Sequence, residues 1–494
     1  RRVERVGAVP ELTYVSDLKA SPHDAGVVYA AFDNHKMGDF KPYVYKSADR
    51  GRTWTSISGD LPARGTVYTV AEDPARSDLL FAGTEFGLYF SIDGGQHWIQ
   101  LKGGLPTTSV RDLAFQERAG DLVIATFGRG FYVLDDLTPL HLTTKALLDQ
   151  EAALLPVRPA AAYIEAHPLG YRDKGFQGAN FYAAPNPPVG ATFTYFLKDG
   201  LDTLKKKRQA EETKLTEKGG DLRYPSFEAL KAEDREEGPV VMLTVTDGDG
   251  NVVRRLTGPA SAGFHRVSWD LHYASSEPVE LNPEPPLPWS DSHTGPMVVP
   301  GPYKVALAKR VGGVLTPIGD AQPFTTETLG LHDLSPADRT ALLEFQKQVV
   351  GLQRAVLGAV EARNEAAARV VKLKKAIDDT PKADAKLAED VRAIETRLKD
   401  IQIELEGDTT KSRRGEPTLP AIQDRVGQIV GGSWNSTSAP TGTQRDGYDI
   451  AAKLFGETLG RLRGLIETDL RGIEDRAEAA GAPWTPGRLP RWPR

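Results

Sequence analysis

Residues 47–54 read S-A-D-R-G-R-T-W, and residues 91–98 read S-I-D-G-G-Q-H-W. Both fit S-x-D-x-G-x-x-W, at a spacing of 44 residues (from 47 to 91). Each residue type has a physical task. The carboxylates of Asp49 and Asp93 can accept hydrogen bonds from backbone N–H groups of their own turn. Gly51 and Gly95 permit a left-handed backbone, and Trp54 and Trp98 can fill the space beneath. A period of about 40–50 residues is that of a four-stranded propeller blade. Ser47, Asp49, Gly51 and Trp54, with Ser91, Asp93, Gly95 and Trp98, are therefore expected to be structural.

Working outward, three units align within residues 1–137. The first begins V-S-D-L-K-A-S-P and V-V-Y-A-A-F-D, the second V-Y-T-V-A-E-D-P and L-L-F-A-G-T-E. The third reads V-R-D-L-A-F-Q, then D-L-V-I-A-T-F-G-R-G-F-Y-V-L-D-D. Each supplies two strands rich in β-branched and aromatic residues. In the first two, a third strand enters the repeated octapeptide and a fourth leaves it. The third unit has no such octapeptide and stops after Leu134. Three blades cannot close a ring, because known propellers have at least about four. Further blades are expected from an upstream segment or another chain. The chain opens on Arg1 and leads straight into a repeat, so it reads as the C-terminal part of a longer protein.

Beyond the repeats, 138–191 reads as a linker. Short antiparallel strands over 192–330 predict an immunoglobulin-like β-sandwich, interrupted by a charged insertion at 199–237. Asp247, Asp249 and Asn251 have the look of a calcium loop. However, Val252 and Gly258 stand where that loop needs Gly and Glu, so a hairpin turn is expected. From Ser335-Pro336 the period becomes helical. Apolar residues three and four apart, broken only by Arg363, predict a coiled-coil-like antiparallel hairpin restarting at Thr380-Pro381. The helical bundle spans 331–482, and a Pro/Trp tail follows at 483–494. The two tail tryptophans suggest packing against a surface.

Composition excludes several function classes. The 61 basic and 67 acidic residues leave a net charge of −6, which argues against a general nucleic-acid binder. There are no cysteines, hence no disulfides or thiolate metal sites. No apolar run approaches the roughly 20 residues of a membrane span. Neither a Gly-x-Ser-x-Gly elbow nor a His-Glu-x-x-His motif occurs. No metal or cofactor is expected.

The octapeptides resemble the Asp-box, or BNR repeat, of sialidases, sortilin-type receptors and bacterial glycosidase-like propellers. Nearly the whole chain resembles the C-terminal half of bacterial proteins of the "glycosyl hydrolase BNR repeat" or sortilin-like type. The segments that carry this lie at 31–43, 83–90, 127–136, 174–188 and 485–492. The resemblance implies an exported β-propeller protein, secreted or held in the periplasm or cell envelope. It also implies a protein or glycan ligand on the propeller face, with glycoside hydrolysis (sialidase- or glucanase-like) as the alternative. A glycosidase needs two carboxylates about 5–9.5 Å apart. Asp33 and Glu85 occupy equivalent repeat positions just past the second strand and are the candidate acid/base pair. His35, Lys36 and Arg129 belong to the same predicted rim as candidate ligand contacts, Arg129 for an anion.

Overall fold

The computed structural model describes residues 3, 5–165, 178, 180, 182, 184–284, 294–329 and 334–492. Part of the segment 174–188, singled out in the sequence, lies outside the described residues.

The first sheet is an antiparallel meander of β1 (Tyr14–Ala20), β2 (Val28–Asp33), β3 (Tyr43–Ser47) and β4 (Thr55–Ser56). The second repeats it with β5 (Val67–Glu72), β6 (Leu80–Thr84), β7 (Gly87–Ser91) and β8 (Ile99–Gln100). The third holds β9 (Val110–Gln116), β10 (Asp121–Thr126) and β11 (Phe131–Leu134). The second sheet lies between the other two. Its Val67, Val70, Leu80 and Ala82 pack on Tyr29, Ala31 and Val44 of the first. Its Ala71, Phe81 and Leu88 pack on Leu113, Leu122 and Ile124 of the third. Burial on both faces explains why V-Y-T-V-A-E shows no polar alternation. Each fully buried Leu or Phe here contributes roughly 1.5–3 kcal/mol.

The repeat also shows where packing stops. Pairing register makes Leu88 and Phe90 of the second sheet equivalent to Phe131 and Val133 of the third. Leu88 is fully buried, whereas Phe131 is 77% and Val133 53% exposed.

Both S-x-D-x-G-x-x-W turns form around their aspartate, at the end of the sheets opposite the turn that joins the second and third strands. Asp49 accepts from the Arg52 and Thr53 N–H groups and from the Ser47 and Thr53 hydroxyls, at 2.7–2.8 Å. These bonds, led by those from Thr53, hold its carboxyl well below the usual carboxylate range. Asp93 accepts from the N–H groups of Gln96 and His97 at 3.0 Å and from the His97 ring at 2.6 Å. Left-handed backbone falls at Arg50 and Gly51 in one turn, and at Gly94 and Gly95 in the other. The Trp98 indole donates to the Ile57 carbonyl at 3.0 Å, tying the second sheet to the strand that leaves the first. The equivalent Nε1 of Trp54 is buried without a hydrogen-bond partner.

Burial pushes the Asp93 carboxyl up, but the His97 N–H and ring more than offset this, and the net shift is down. The His97 imidazole, bonded to Asp93, is shifted up. A lowered Asp stabilises the fold above its unfolded pKa and loses that contribution as pH falls. A raised His stabilises below its unfolded pKa and loses that contribution as pH rises. Asp93→Ala is therefore expected to cost about 1 kcal/mol, as loss of a helix N-cap does, because about a third of its side chain reaches water. The difference in melting temperature from wild type should peak between about pH 4.5 and 6.5. A flat difference from pH 3 to 9 would contradict this.

The stretch read as a linker is not one throughout. After two short helices, α1 (Thr138–Leu142) and α2 (Lys145–Leu148), it supplies β12 (Ala152–Leu154) and β13 (Ala160–Ala162). β12 pairs with β14 (Ala191–Leu197), which pairs with β17 (Gly263–Trp269). β13 runs parallel to β19 (Val314–Thr328) in a five-stranded sheet with β18 (Gly301–Val311), β15 (Val240–Asp247) and β16 (Val252–Gly258). Without β13 the other four strands would leave the β19 edge uncovered, and the residues read as a linker close it. Phe193, Tyr195, Val241, Leu243, Trp269 and Val305 form the core shared by the two sheets. The charged insertion forms α3 (Leu204–Glu217) and α4 (Phe227–Arg235), where Arg208 pairs with Glu233 and Glu212. Asp247 accepts from the N–H groups of Asp249 and Asn251, closing the expected hairpin turn.

The C-terminal region is helical. α5 (Pro336–Asp378) starts at Ser335, whose hydroxyl accepts from the Asp338 N–H at 3.2 Å. α6 (Ala385–Glu406) runs antiparallel to it, with ion pairs Lys374–Glu395 and Arg363–Glu406. α7 (Thr409–Ser412), α8 (Ile422–Trp434) and α9 (Gly442–Gly464) follow. A π-turn at Leu465–Leu470 then leads into α10 (Arg471–Ala479). Most of the predicted stripes are buried together in one core, with Phe345 and Val349 in a second beside Ile429 and Trp434, and Arg363 is tolerated because Glu406 pairs with it. The tail packs back through Thr485 and Arg488, which are buried. Its tryptophans, Trp484 and Trp492, are 62% and 89% exposed, contrary to expectation.

Candidate functional site

Three β-bulges build the site. In each sheet the register between the first two strands slips by one residue at the start of the first strand. The slip skips Ser16 between Val15 and Asp17, Tyr68 between Val67 and Thr69, and Arg111 between Val110 and Asp112. A bulge re-aims the extra side chain and strengthens the local twist. Ser16, Tyr68 and Arg111 thus stand at equivalent places on the end opposite the Asp49 and Asp93 turns. The first strands are tied side by side. The Ser16 hydroxyl donates to the Val67 carbonyl at 2.9 Å, and Asp17 accepts from Thr69 Oγ1 and the Val70 N–H. Lys19 Nζ reaches Asp112 at 3.3 Å, from the first sheet to the third.

Around the bulges, two residues from the sequence reading meet residues it missed. The Tyr68 hydroxyl donates to Glu85. Burial, with this bond and the charges of Glu85 and Asp33 added, raises the Tyr68 phenol and keeps it a donor. The Arg111 guanidinium lies 3.7 Å from the Tyr68 ring centroid and 5.2 Å from that of Phe127. Asp33 accepts from the His35 N–H at 2.9 Å and from its ring nitrogen at 2.6 Å.

Register also settles which residues are equivalent. Glu85 N–H donates to the Thr66 carbonyl and Phe127 N–H to the Ser109 carbonyl, each one residue before the first strand. Asp33 pairs with Tyr14 at the same place. The third-sheet counterpart of Asp33 and Glu85 is therefore Phe127, 70% exposed, and not Arg129. Arg129 sits in the tight turn between Gly128 and Gly130, both left-handed, and forms no ion pair among the described residues. Lys36, in the short 3₁₀ turn 35–37, likewise forms none among them. The one sequence signal for the missed pair was positional: Tyr68 and Arg111 each follow the first valine of their unit.

Among the described residues, no group of three or more His, Asp or Glu side chains could hold a metal ion. Chemically, the rim combines two carboxylates, a phenol, a guanidinium and an exposed aromatic ring. That set can hydrogen-bond hydroxyl groups and cover an apolar ring face.

No family model matches the chain. A xyloglucanase of Hypocrea jecorina is 31% identical over 91 residues, covering 16% of this chain and 11% of that protein. A probable oligoxyloglucan-reducing end-specific xyloglucanase of Neosartorya fischeri is 35% identical over 72 residues, covering 14% and 9%. The chain thus spans about a tenth of the length of these curated relatives. Among solved structures, an ancestral GH74 enzyme is 30% identical over 24% of this chain and 14% of its own, with a TM-score of 0.20. Among the described residues, no helix is long and apolar enough to cross a membrane.

Proposed function

We propose that the three sheets are blades of an Asp-box β-propeller and that their bulged rim binds a glycan. One observation carries this: the same bulge, three times over, aims Tyr68 and Arg111 at the rim beside Asp33, Glu85 and Phe127. Sugar recognition needs carboxylates and guanidinium groups for hydroxyls, with an aromatic face for the ring's C–H side. The sequence similarity to two xyloglucanases supports a carbohydrate ligand over a protein one.

On this reading, further sheets of the same repeat type complete the ring, from the same precursor or another chain. The exposed Phe131 and the unpartnered Trp54 Nε1 support it, because their second-sheet counterparts, Leu88 and Trp98, are buried and hydrogen-bonded respectively. Residues 1–137 form the propeller part and the two sheets up to 330 an immunoglobulin-like sandwich. Residues 331–482 form a coiled-coil-like bundle, and the whole is exported.

A screen of the full chain against neutral and acidic oligosaccharides tests the proposal. Glu85→Gln and Phe127→Ala should each weaken binding by about tenfold or more, as loss of a central contact does, with the melting temperature held. Failure to bind any glycan, or wild-type affinity in both variants, would refute it. A second reading, favoured by the xyloglucanase similarity alone, is glycoside hydrolysis with Asp33 and Glu85 as acid and base. Release of reducing ends from xyloglucan, abolished by Asp33→Asn, would support that reading.

A further inference from the structure

We infer that the rim selects an acidic glycan, holding the carboxylate of a uronic-acid residue on Arg111. The inference rests on the glycan reading above and names the sugar class. Arg111 is exposed, and its guanidinium is stacked on Tyr68 and neighbours Phe127. Among the described residues it donates no hydrogen bond and joins no ion pair, in a chain where many arginines do both. Stacking fixes the plane of the guanidinium and leaves its edge N–H groups open. A planar fork of that kind matches a carboxylate through two parallel hydrogen bonds. Because the stack has already restricted the side chain, less entropy is lost when the anion docks.

The charge around the site favours the same ligand. Lys36 and Arg129, on neighbouring loops of this end, also lack ion pairs among the described residues. Of the two carboxylates, Asp33 is engaged by His35 and Glu85 by the Tyr68 hydroxyl. The three cations without ion pairs among the described residues draw an anion in, and the attraction weakens as salt rises. Phe127 offers a largely exposed ring for the pyranose face. The remaining lone pairs of Glu85 can accept a sugar hydroxyl. A neutral sugar would use the aromatic ring and Glu85 and give the guanidinium single hydroxyl contacts, but not the paired carboxylate oxygens that its fork matches.

The test measures affinities of the full chain for tetragalacturonate, its methyl ester and a neutral xyloglucan heptasaccharide, at low and high salt. Tetragalacturonate should bind about tenfold or more tighter than its methyl ester, the scale of one charge-assisted contact. Arg111→Gln should erase that preference, lowering affinity for tetragalacturonate by about tenfold or more and for the ester by a smaller factor. Arg111→Lys should restore it only in part. Equal affinity of the wild type for acid and ester overturns the inference and leaves the glycan reading standing. So does a preference that survives in Arg111→Gln. If none of the three probes binds, the glycan reading falls and the inference with it. The acid–ester comparison needs no variant, so it decides the matter even if Arg111→Gln folds poorly.

Discussion

Replacing Leu398 by Asp is expected to unfold the helical region while the β-sheets remain folded. Leu398 is 2% exposed and belongs to the core that α5 and α6 share with α8, α9 and α10. Loss of the leucine alone costs about 2–5 kcal/mol. Burying a carboxylate with no partner adds several more. The sum rivals the roughly 5–15 kcal/mol that holds a whole domain. Circular dichroism at 222 nm should therefore fall steeply, and amide-exchange protection should vanish across residues 336–479. Protection in the β-sheets should persist, because their cores are separate clusters. Retained helicity with full protection would show that Leu398 is not buried in this chain. Retained helicity with loss of an oligomer would instead mark its stripe as a seam for a partner.

The second large effect falls in the two-sheet unit. Trp269 is fully buried at the end of β17. Its ring meets Tyr303 edge-on at 5.6 Å and Phe324 at 6.2 Å, and its indole N–H donates to the His272 carbonyl at 2.9 Å. Trp269→Ala should cost about 3–5 kcal/mol through the cavity, with the lost hydrogen bond included. The backbone beside it is held close to the neighbouring chain. A Cβ on Gly190, which has φ +104°, would lie 1.9 Å from the Trp269 carbonyl oxygen. Hydrogen exchange should accelerate in β14, β17 and β18 and leave the three repeat sheets unchanged. Unchanged protection in those strands would contradict the assignment of Trp269 as the centre of this core. Local readouts are needed, since a chain with several cores has no single unfolding free energy.

The features that the sequence determined by itself are local. The turn at Asp49 closes through bonds to residues no more than four positions away, so S-x-D-x-G-x-x-W carries its own geometry. The start of α5 at Ser335 and the hairpin at Asp247 are legible for the same reason. The stripes of α5 and α6 are legible because a helix repeats its buried face every three or four residues.

The tertiary structure decided whatever depends on register between distant strands. Asp33 and Glu85 are legible as repeat equivalents, but a one-residue bulge puts Tyr68 and Arg111 beside them, and the bond from the Phe127 N–H to the Ser109 carbonyl makes Phe127 their third counterpart. β13 pairs with β19 more than 150 residues later, and no periodicity in three alanines announces it. The tail is anchored by Arg488, whose guanidinium reaches Glu478 and backbone carbonyls, rather than by its tryptophans. Hydrogen bonds within a turn are fixed by neighbours in the chain. Strand register and the partner of a buried charge are fixed only when the whole core packs, because only then is the cost of each alternative set.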